Sequence, residues 1–190
     1  MLFRSLDLFE RTPTKIVYCY GSWQPAFDEL KKKAGVQFEQ GVPKKKDLEK
    51  WFGKMGGGSV LVMDDLMSSA GDNETVANIF TQYSHHMGIV VFYLCQDLFP
   101  NGKYAKTISR NAQYYIVFKN PRDKTGIRNL LLQMYPSGWK EVLELYEEVT
   151  HPCYAYFVFD LHARTDEQDR LVSNLLKHEG CIRVYRKKKP

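Results

Sequence analysis

Short apolar runs alternate along the chain with segments whose apolar residues recur at helical spacing. The runs are rich in β-branched and aromatic residues and are bounded by glycine, proline or polar residues, which is typical of β-strands. Several of them contain a continuous apolar stretch, and this indicates strands buried on both faces of a parallel sheet that helices cross. The sequence therefore predicts the α/β class with a mostly parallel sheet. The predicted strands are Lys15–Gly21, Val36–Gln40, Val60–Met63, Ile89–Cys95, Tyr114–Lys119, Tyr154–Asp160 and Ile182–Tyr185.

The clearest helical pattern begins after the polar residues at positions 72 and 73, which can cap a helix. Its apolar positions lie at i, i+3, i+4 and i+7, and they are Val76, Ile79, Phe80 and Tyr83. A polar helix is also expected before the last strand. Further helices are predicted over Leu2–Phe9, Pro25–Lys33, Asp47–Phe52, Lys124–Met134 and Gly138–Val149.

Polar side chains stand at the ends of three predicted strands. Asp64 and Asp65 follow the third strand, Gln96 the fourth, and Asn120 and Arg122 the fifth. In open parallel sheets the functional crevice lies beyond the carboxyl ends of the strands. One carboxylate there can hold a magnesium shell, and a second can polarise a water for attack on a phosphate. We therefore expect the functional site at this edge.

Length and composition are those of a folded domain with a modest positive charge. The 190 residues are 44% hydrophobic and 14% aromatic, which suits one α/β domain with a small appendage. The formal net charge is +5, and three short basic blocks carry much of it: Lys31–Lys33, Lys44–Lys46 and Arg186–Lys189. Such blocks are most often solvated faces. The alternative is phosphate contact with nucleic acid.

The cysteines and the lengths of the apolar runs indicate the cellular compartment in which the protein is expected. Four scattered cysteines form no C-x-x-C pair, so neither a disulfide framework nor a zinc knuckle is predicted. A reducing, intracellular compartment is expected. The longest apolar run, Ile89–Cys95, is too short to cross a bilayer, and the N-terminus lacks a signal-peptide pattern. No membrane partner is expected.

Five segments, taken in order and spacing, resemble the FtsK/HerA-type branch of P-loop ATPases. The likeness is to the viral genome-packaging ATPases of the poxvirus and polinton-like kind. It covers residues 1–165 as an ATPase-like core and leaves 166–190 as a C-terminal extension with a basic tail. It implies a three-layer, mostly parallel sheet of the P-loop type. The matching segments are CYGSWQPAFDEL (19–30), SVLVMDDLM (59–67), FTQYSHHMGIVVFYLCQDLF (80–99), TISRNAQYYIVFKNPRD (107–123) and HPCYAYFVFDL (151–161).

This resemblance implies an activity and roles for single residues. The activity is hydrolysis of ATP with Mg²⁺, coupled to movement of double-stranded DNA by a homo-oligomeric ring. The setting would be the cytoplasm or nucleus of a virus-infected cell, or an integrated virus-like element. Asp64 takes the place of the magnesium residue, Asp65 of the water-activating acid, and Gln96 of the sensor of the γ-phosphate. Arg110 or Arg122 takes the place of an arginine finger. For each of them the alternative is a structural or surface role.

Two features depart from the family pattern. The acid at position 65 is commonly glutamate, and Asp65 is one methylene shorter. No G-x-x-x-x-G-K-S/T phosphate loop is present. The sequence has two Gly-Lys pairs, Gly53-Lys54 and Gly102-Lys103. Neither pair has a glycine five residues before its own glycine, and neither is followed by serine or threonine. In the family the loop precedes the helix that matches Leu2–Phe9. The resemblance thus implies a missing first strand and loop, through truncation of the reading frame or loss in a degenerate paralogue. The intact carboxylate pair favours truncation.

Other interpretations stay open. The main alternative is a non-hydrolysing relic that binds DNA or joins a ring as a structural subunit. A metal-dependent nuclease is a third, although no further ligands are obvious. Asp64 and Asp65 could instead cap a turn. His85 and His86, adjacent on a helix, diverge by about 100° and suit the helix dipole better than a shared ion. Trp23 is expected to pack, with contact to a nucleotide base as the alternative.

Overall fold

The computed structural model describes residue 9 and residues 11–53, 58–66, 70–176 and 179–187. The chain divides into two compact units, Met1–Asn111 and Ala112–Pro190, and each is considered by itself. The helix predicted over Leu2–Phe9 falls outside the described residues except for Phe9, and Lys54 also lies outside them. No helix in the described ranges is both long and apolar enough to cross a bilayer.

The first unit is a four-stranded parallel sheet with helical crossovers. Residues 74–87 form one continuous helix with a π-helical segment at Ile79–Tyr83. The Asn73 side chain caps this helix by accepting from the backbone of Thr75 and Val76. The elements are β1 (Lys15–Tyr20), α1 (Ala26–Ala34), β2 (Gln37–Gln40), α2 (Lys45–Phe52), β3 (Ser59–Asp64), α3 (Glu74–Asn78), α4 (Ser84–Met87), β4 (Ile89–Leu94) and α5 (Ala105–Asn111).

The strand order of this sheet is β2-β1-β3-β4, and every neighbouring pair is parallel. Successive side chains of a strand point to opposite faces, so the apolar strands supply two cores. One face of β1 and β3, with Val17 and Leu61, packs against α2 and the helix that starts at α3. The other face, with Tyr18 and Val62, packs against Phe27 of α1. Burial on both faces explains why these strands lack polar alternation.

The strand β4 lies at the edge of the sheet. Its sequence IVVFYL carries no charge or proline, and β3 is its only strand partner among the described residues. Val90 and Leu94 are 44% and 41% exposed. The ring of Phe92 on the same face contacts Phe9 edge-on at 6.3 Å between centroids. An apolar edge of this kind is one that natural sheets usually cover or charge.

The second unit is an antiparallel sheet with two helices. Its four strands lie side by side in chain order, and all three neighbouring pairs are antiparallel. Phe157 and Phe159 are fully buried, and the Tyr146 hydroxyl of the second helix donates to the Phe118 carbonyl at 2.9 Å. The elements are β5 (Tyr114–Phe118), α6 (Lys124–Met134), α7 (Trp139–Val149), β6 (Tyr156–Asp160), a 3-10 turn (Glu167–Asp169), β7 (Leu171–Ser173) and β8 (Arg183–Val184).

The structure corrects two expectations in this unit. The strands predicted over Tyr114–Lys119 and Tyr154–Asp160 pair antiparallel with each other, so among the described residues the parallel sheet is confined to the first unit. Where a polar helix was expected, the described residues instead form the short turn and β7, and residues 177–178 lie outside the described part. Residues 161–170 are too few for a parallel crossover, which needs a dozen or more residues, but suffice for an antiparallel return. The predicted 166–190 extension therefore contributes two strands to this sheet.

Candidate functional site

The carboxyl edge of the parallel sheet has a point where the winding changes direction. From β1 the chain first moves to β2 on one side, and β3 and β4 then follow on the other. In open α/β sheets, ligands bind in the crevice at such a switch point, which here lies between β1 and β3. Gly21 follows β1 and Asp64 ends β3, so both border this crevice.

Asp64 is half-buried and is held by a tyrosine from the neighbouring strand. The Tyr18 hydroxyl donates to Asp64 Oδ2 at 2.6 Å. Tyr18 is 4% exposed. Burial in the first place, and then the hydrogen bond and negative charge of Asp64, raise the pKa of Tyr18 well above its usual value. The phenol therefore stays protonated and remains a donor to the carboxylate.

Asp65 is exposed and has the left-handed backbone conformation, with φ of 54°. Its carbonyl lies against Gly21, where an added Cβ would come within 2.4 Å of the Asp65 oxygen. The Gly21 amide also donates to the Asp64 carbonyl at 3.1 Å. Residues other than glycine adopt positive φ uncommonly, and such conformations cluster at functional sites. The backbone of the turn after β3 thus lies against the loop after β1, and Asp65 itself is exposed to solvent.

Gln96 reaches the same edge of the sheet. Leu94, the last residue of β4, lies beside Asp64 in the parallel register. Gln96 follows two positions later and is exposed. Since neighbouring strands are about 4.8 Å apart, the structure brings Gln96 to the edge that Asp64 and Asp65 occupy.

The two candidate arginines lie in different units. Arg110 is exposed in the last turn of α5, within the first unit. Arg122 is exposed in the second unit, and its backbone amide donates to Asn120 Oδ1 at 3.0 Å. Asn120 and Arg122 therefore belong to a turn after β5 and not to the parallel sheet. A role for either arginine as a finger stays a prediction.

The donor set suits a magnesium ion that takes part of its shell from substrate. Mg²⁺ is commonly bound through one or two carboxylates, waters and phosphate oxygens, and Asp64 with Asp65 supplies the carboxylates. In the described part of the chain no three His, Cys, Asp or Glu side chains are grouped to hold a metal. His85 and His86 are exposed in the last turn of α4, which agrees with a dipole role.

An aromatic cluster borders the site on the side of β1 and β2. Trp23 is 44% exposed, and its ring stands edge-to-face with those of Tyr20, Phe27 and Phe38 at 5.3–5.5 Å. These contacts agree with the expected packing role for Trp23. Tyr18 and Gly21, in contrast, were not predicted as site residues. The sequence feature that could have indicated Tyr18 is its place inside an apolar strand. A buried tyrosine hydroxyl usually has a polar partner, so a nearby polar side chain could have been expected.

The described side chains of the basic blocks are solvent-exposed. Lys188 and Lys189 lie outside the described residues, and the side chain of Lys33 is not described. Lys31 and Lys32 lie on α1, and the block Lys44–Lys46 spans the start of α2. One ion pair in it joins Lys45 to Glu49 at 3.8 Å. In the second unit Arg186 is paired with Asp169. The lysines are exposed to solvent, as phosphate contact requires, and Lys45 and Arg186 each also have a carboxylate partner.

Comparison with known proteins adds no further constraint. No protein-family model, curated protein or solved structure matches this chain. The candidate site accordingly rests on the switch point and on the carboxylate pair and Gln96 at its edge.

Proposed function

We propose that this chain is part of the catalytic core of a DNA-translocating or DNA-packaging ATPase, with Mg-ATP hydrolysed at the carboxyl edge of β3. The observation that carries the proposal is the placement of Asp64 and Asp65 at the end of an internal parallel strand, beside the switch point. Gln96 at the end of the adjacent strand completes a set of two acids and one amide. Such a set matches the demands of phosphoryl transfer to water.

The sheet order supports a three-layer fold of the P-loop ATPase type. In that fold the strand with the acidic pair has the sensor strand beside it, as β3 has β4 beside it here. The strand that precedes the phosphate loop would lie on the far side of the sensor strand. The uncharged, exposed edge of β4 is compatible with such a neighbour.

Each residue has a distinct part in the proposed reaction. Asp64 would accept hydrogen bonds from waters in the magnesium shell, or ligate the ion directly. Asp65 would polarise the attacking water and take up its proton as the bond to the γ-phosphorus forms and ADP departs. Gln96 would orient that water and the γ-phosphate. Bound Mg²⁺ would neutralise charge on the phosphate oxygens.

Double-stranded DNA is the proposed partner, and a homo-oligomeric ring the proposed assembly. The exposed lysines of α1 and α2 support the contact with DNA, because lysine contacts to phosphate release bound counterions. A non-hydrolysing DNA-binding or ring-forming subunit is the second candidate. The absence of a G-x-x-x-x-G-K-S/T motif from the sequence favours it, since the amides and lysine of that loop supply most phosphate contacts.

Nucleotide binding and turnover distinguish the two candidates. The chain as it stands is expected to bind Mg-ATP more weakly than the low micromolar range in titration calorimetry. Joined to a preceding strand and a G-x-x-x-x-G-K-S/T loop, it is expected to bind and hydrolyse ATP, and DNA to stimulate hydrolysis. Asp65→Asn should then abolish turnover and leave binding largely intact. Binding without turnover in the unmutated fusion would favour the non-hydrolysing subunit. Equal turnover with and without Asp65→Asn would contradict the assigned site.

A further inference from the structure

Tyr18 and Asp64 meet on one face of the parallel sheet although they are not register partners. Tyr20 pairs with Asp64, and Tyr18 pairs with Val62. Residues two apart on a strand share a face, so Tyr18 is on the same face as Tyr20 and its register partner Asp64. Tyr18 lies two residues before the end of its strand. Its long side chain reaches forward to the Asp64 carboxylate, and the hydrogen bond is 2.6 Å long.

The Tyr18 ring is held firmly in this position. It is 4% exposed, and its centroid lies 5.0 Å from that of Phe27 and 5.3 Å from that of Phe38. Close packing of this kind leaves a ring few alternative rotamers. The hydroxyl is therefore a fixed point to which the Asp64 carboxylate is tied through Oδ2.

We infer that Tyr18 is a positioning residue that holds the Asp64 carboxylate with its second oxygen presented to a divalent cation. This inference rests on the proposed function. Carboxylates that ligate metals are commonly held by further hydrogen bonds, and these outer partners set the orientation of the ligand. At the end of a strand, a half-buried aspartate without such a bond would be free to rotate. It would then lose that freedom when it bound the ion.

The simpler alternative is that Asp64 merely satisfies a buried phenol. The same chain, however, contains two buried tyrosine hydroxyls, of Tyr93 and Tyr135, that have no carboxylate partner in the described ranges. Burying a tyrosine here does not by itself bring a carboxylate to it. Tyr93 lies on β4 of the same sheet, so it also serves as a matched control for loss of a tyrosine hydroxyl.

The test measures binding of Mn²⁺ alone to the full chain, with free Mn²⁺ read by electron paramagnetic resonance. Asp64→Asn is expected to remove one Mn²⁺ site. Tyr18→Phe is expected to weaken Mn²⁺ binding at that same site by on the order of tenfold. Tyr93→Phe should bind as the wild type does. In the Asp64→Asn background, Tyr18→Phe should have no further effect. Thermal unfolding of every variant ensures that affinities are compared between folded proteins.

The outcomes separate this inference from the proposed function. If Asp64→Asn removes a Mn²⁺ site and Tyr18→Phe does not weaken it, the positioning role is overturned and the metal site stands. If Asp64→Asn removes no site, the metal step of the proposed function falls, and the inference falls with it. Phe27→Leu keeps the Tyr18 hydroxyl but loosens the packing around the Tyr18 ring. Its Mn²⁺ affinity is therefore expected to lie between that of the wild type and that of Tyr18→Phe. Tighter binding in either variant would overturn the inference.

Discussion

Gly21 and Asp65 are in direct backbone contact across the switch point, and the contact leaves no room for a side chain at position 21. A Cβ there would lie 2.4 Å from the Asp65 carbonyl oxygen. Gly21→Ala must therefore displace the turn that carries Asp65, and overpacking of this kind typically costs about 1–3 kcal/mol. Chemical denaturation should show that loss in the free energy of unfolding. Ser22→Ala, at the exposed neighbour, is the control and should change stability little. Equal effects of the two substitutions would contradict the close contact.

The left-handed backbone of Asp65 predicts an unusual order of stabilities. At φ of 54° a Cβ is unfavourable by about 1–2 kcal/mol, and glycine avoids this cost. Asp65→Gly should therefore be more stable than Asp65→Ala by about 1 kcal/mol. At Asp28, in the first turn of α1, alanine should be the more stable of the two, because glycine is a poor helix former. Denaturant midpoints for the four variants test the order. The same order at both positions would contradict the left-handed conformation.

Asp64 and Gln96 should affect different steps in the chain joined to a phosphate loop. Asp64→Asn should weaken the magnesium-dependent part of nucleotide binding, since a neutral amide is a poorer partner for the ion and its waters. Gln96→Ala should lower kcat with little loss of affinity, because a sensor acts on the geometry of attack. Steady-state hydrolysis and nucleotide titrations with and without Mg²⁺ separate these effects. Loss of affinity in Gln96→Ala alone would argue against the sensor role.

The exposed lysines predict DNA binding that is independent of sequence and sensitive to salt. Replacing Lys44, Lys45 and Lys46 with glutamine should weaken binding. The slope of log K against log salt should become less steep by about 0.9 for each lysine that contacts a phosphate. Fluorescence anisotropy with two unrelated duplexes over a range of salt concentrations measures both quantities.

A charge-matched variant controls for net charge. It replaces three exposed lysines outside the basic blocks, Lys106, Lys119 and Lys124, with glutamine, and should retain the wild-type slope. If both triple variants change the slope equally, the block at 44–46 is only a solvated face.

The open edge of β4 predicts self-association of the isolated chain. Its outer backbone groups, which pair with no strand in the described part of the chain, and the exposed Val90 form a template for pairing with another strand. Lysine on an edge strand opposes such pairing. Val90→Lys should reduce the associated fraction in sedimentation velocity at equal concentration. Val184→Lys is the control, because Val184 is 45% exposed but lies on a strand of only two residues. Association that is unchanged by Val90→Lys would mean that this edge is not the contact.

Local sequence patterns determined most of the elements of this protein. The helix Lys124–Met134 occurs at its predicted bounds, and the strand from Ile89 ends one residue before its predicted end. Apolar spacing and boundary residues are local properties, so both can be identified without knowledge of the fold. The helix α5 was not predicted, because AKTISRN lacks a repeating apolar stripe. The strand β7, with three residues, is too short to show an alternation.

Strand pairing and the contacts within the site were decided by the tertiary structure. A continuous apolar run is typical of parallel strands, but β6 is also buried at four successive positions in an antiparallel sheet. The runs at β5 and β6 therefore did not by themselves reveal their antiparallel pairing. The carboxylate pair was evident in the sequence because it directly follows a strand. Tyr18 was not, because 46 positions separate it from Asp64 and only the register of β1 against β3 brings the two together. A hydrogen bond depends on distances of a few ångströms in space, which residue spacing along the chain does not specify.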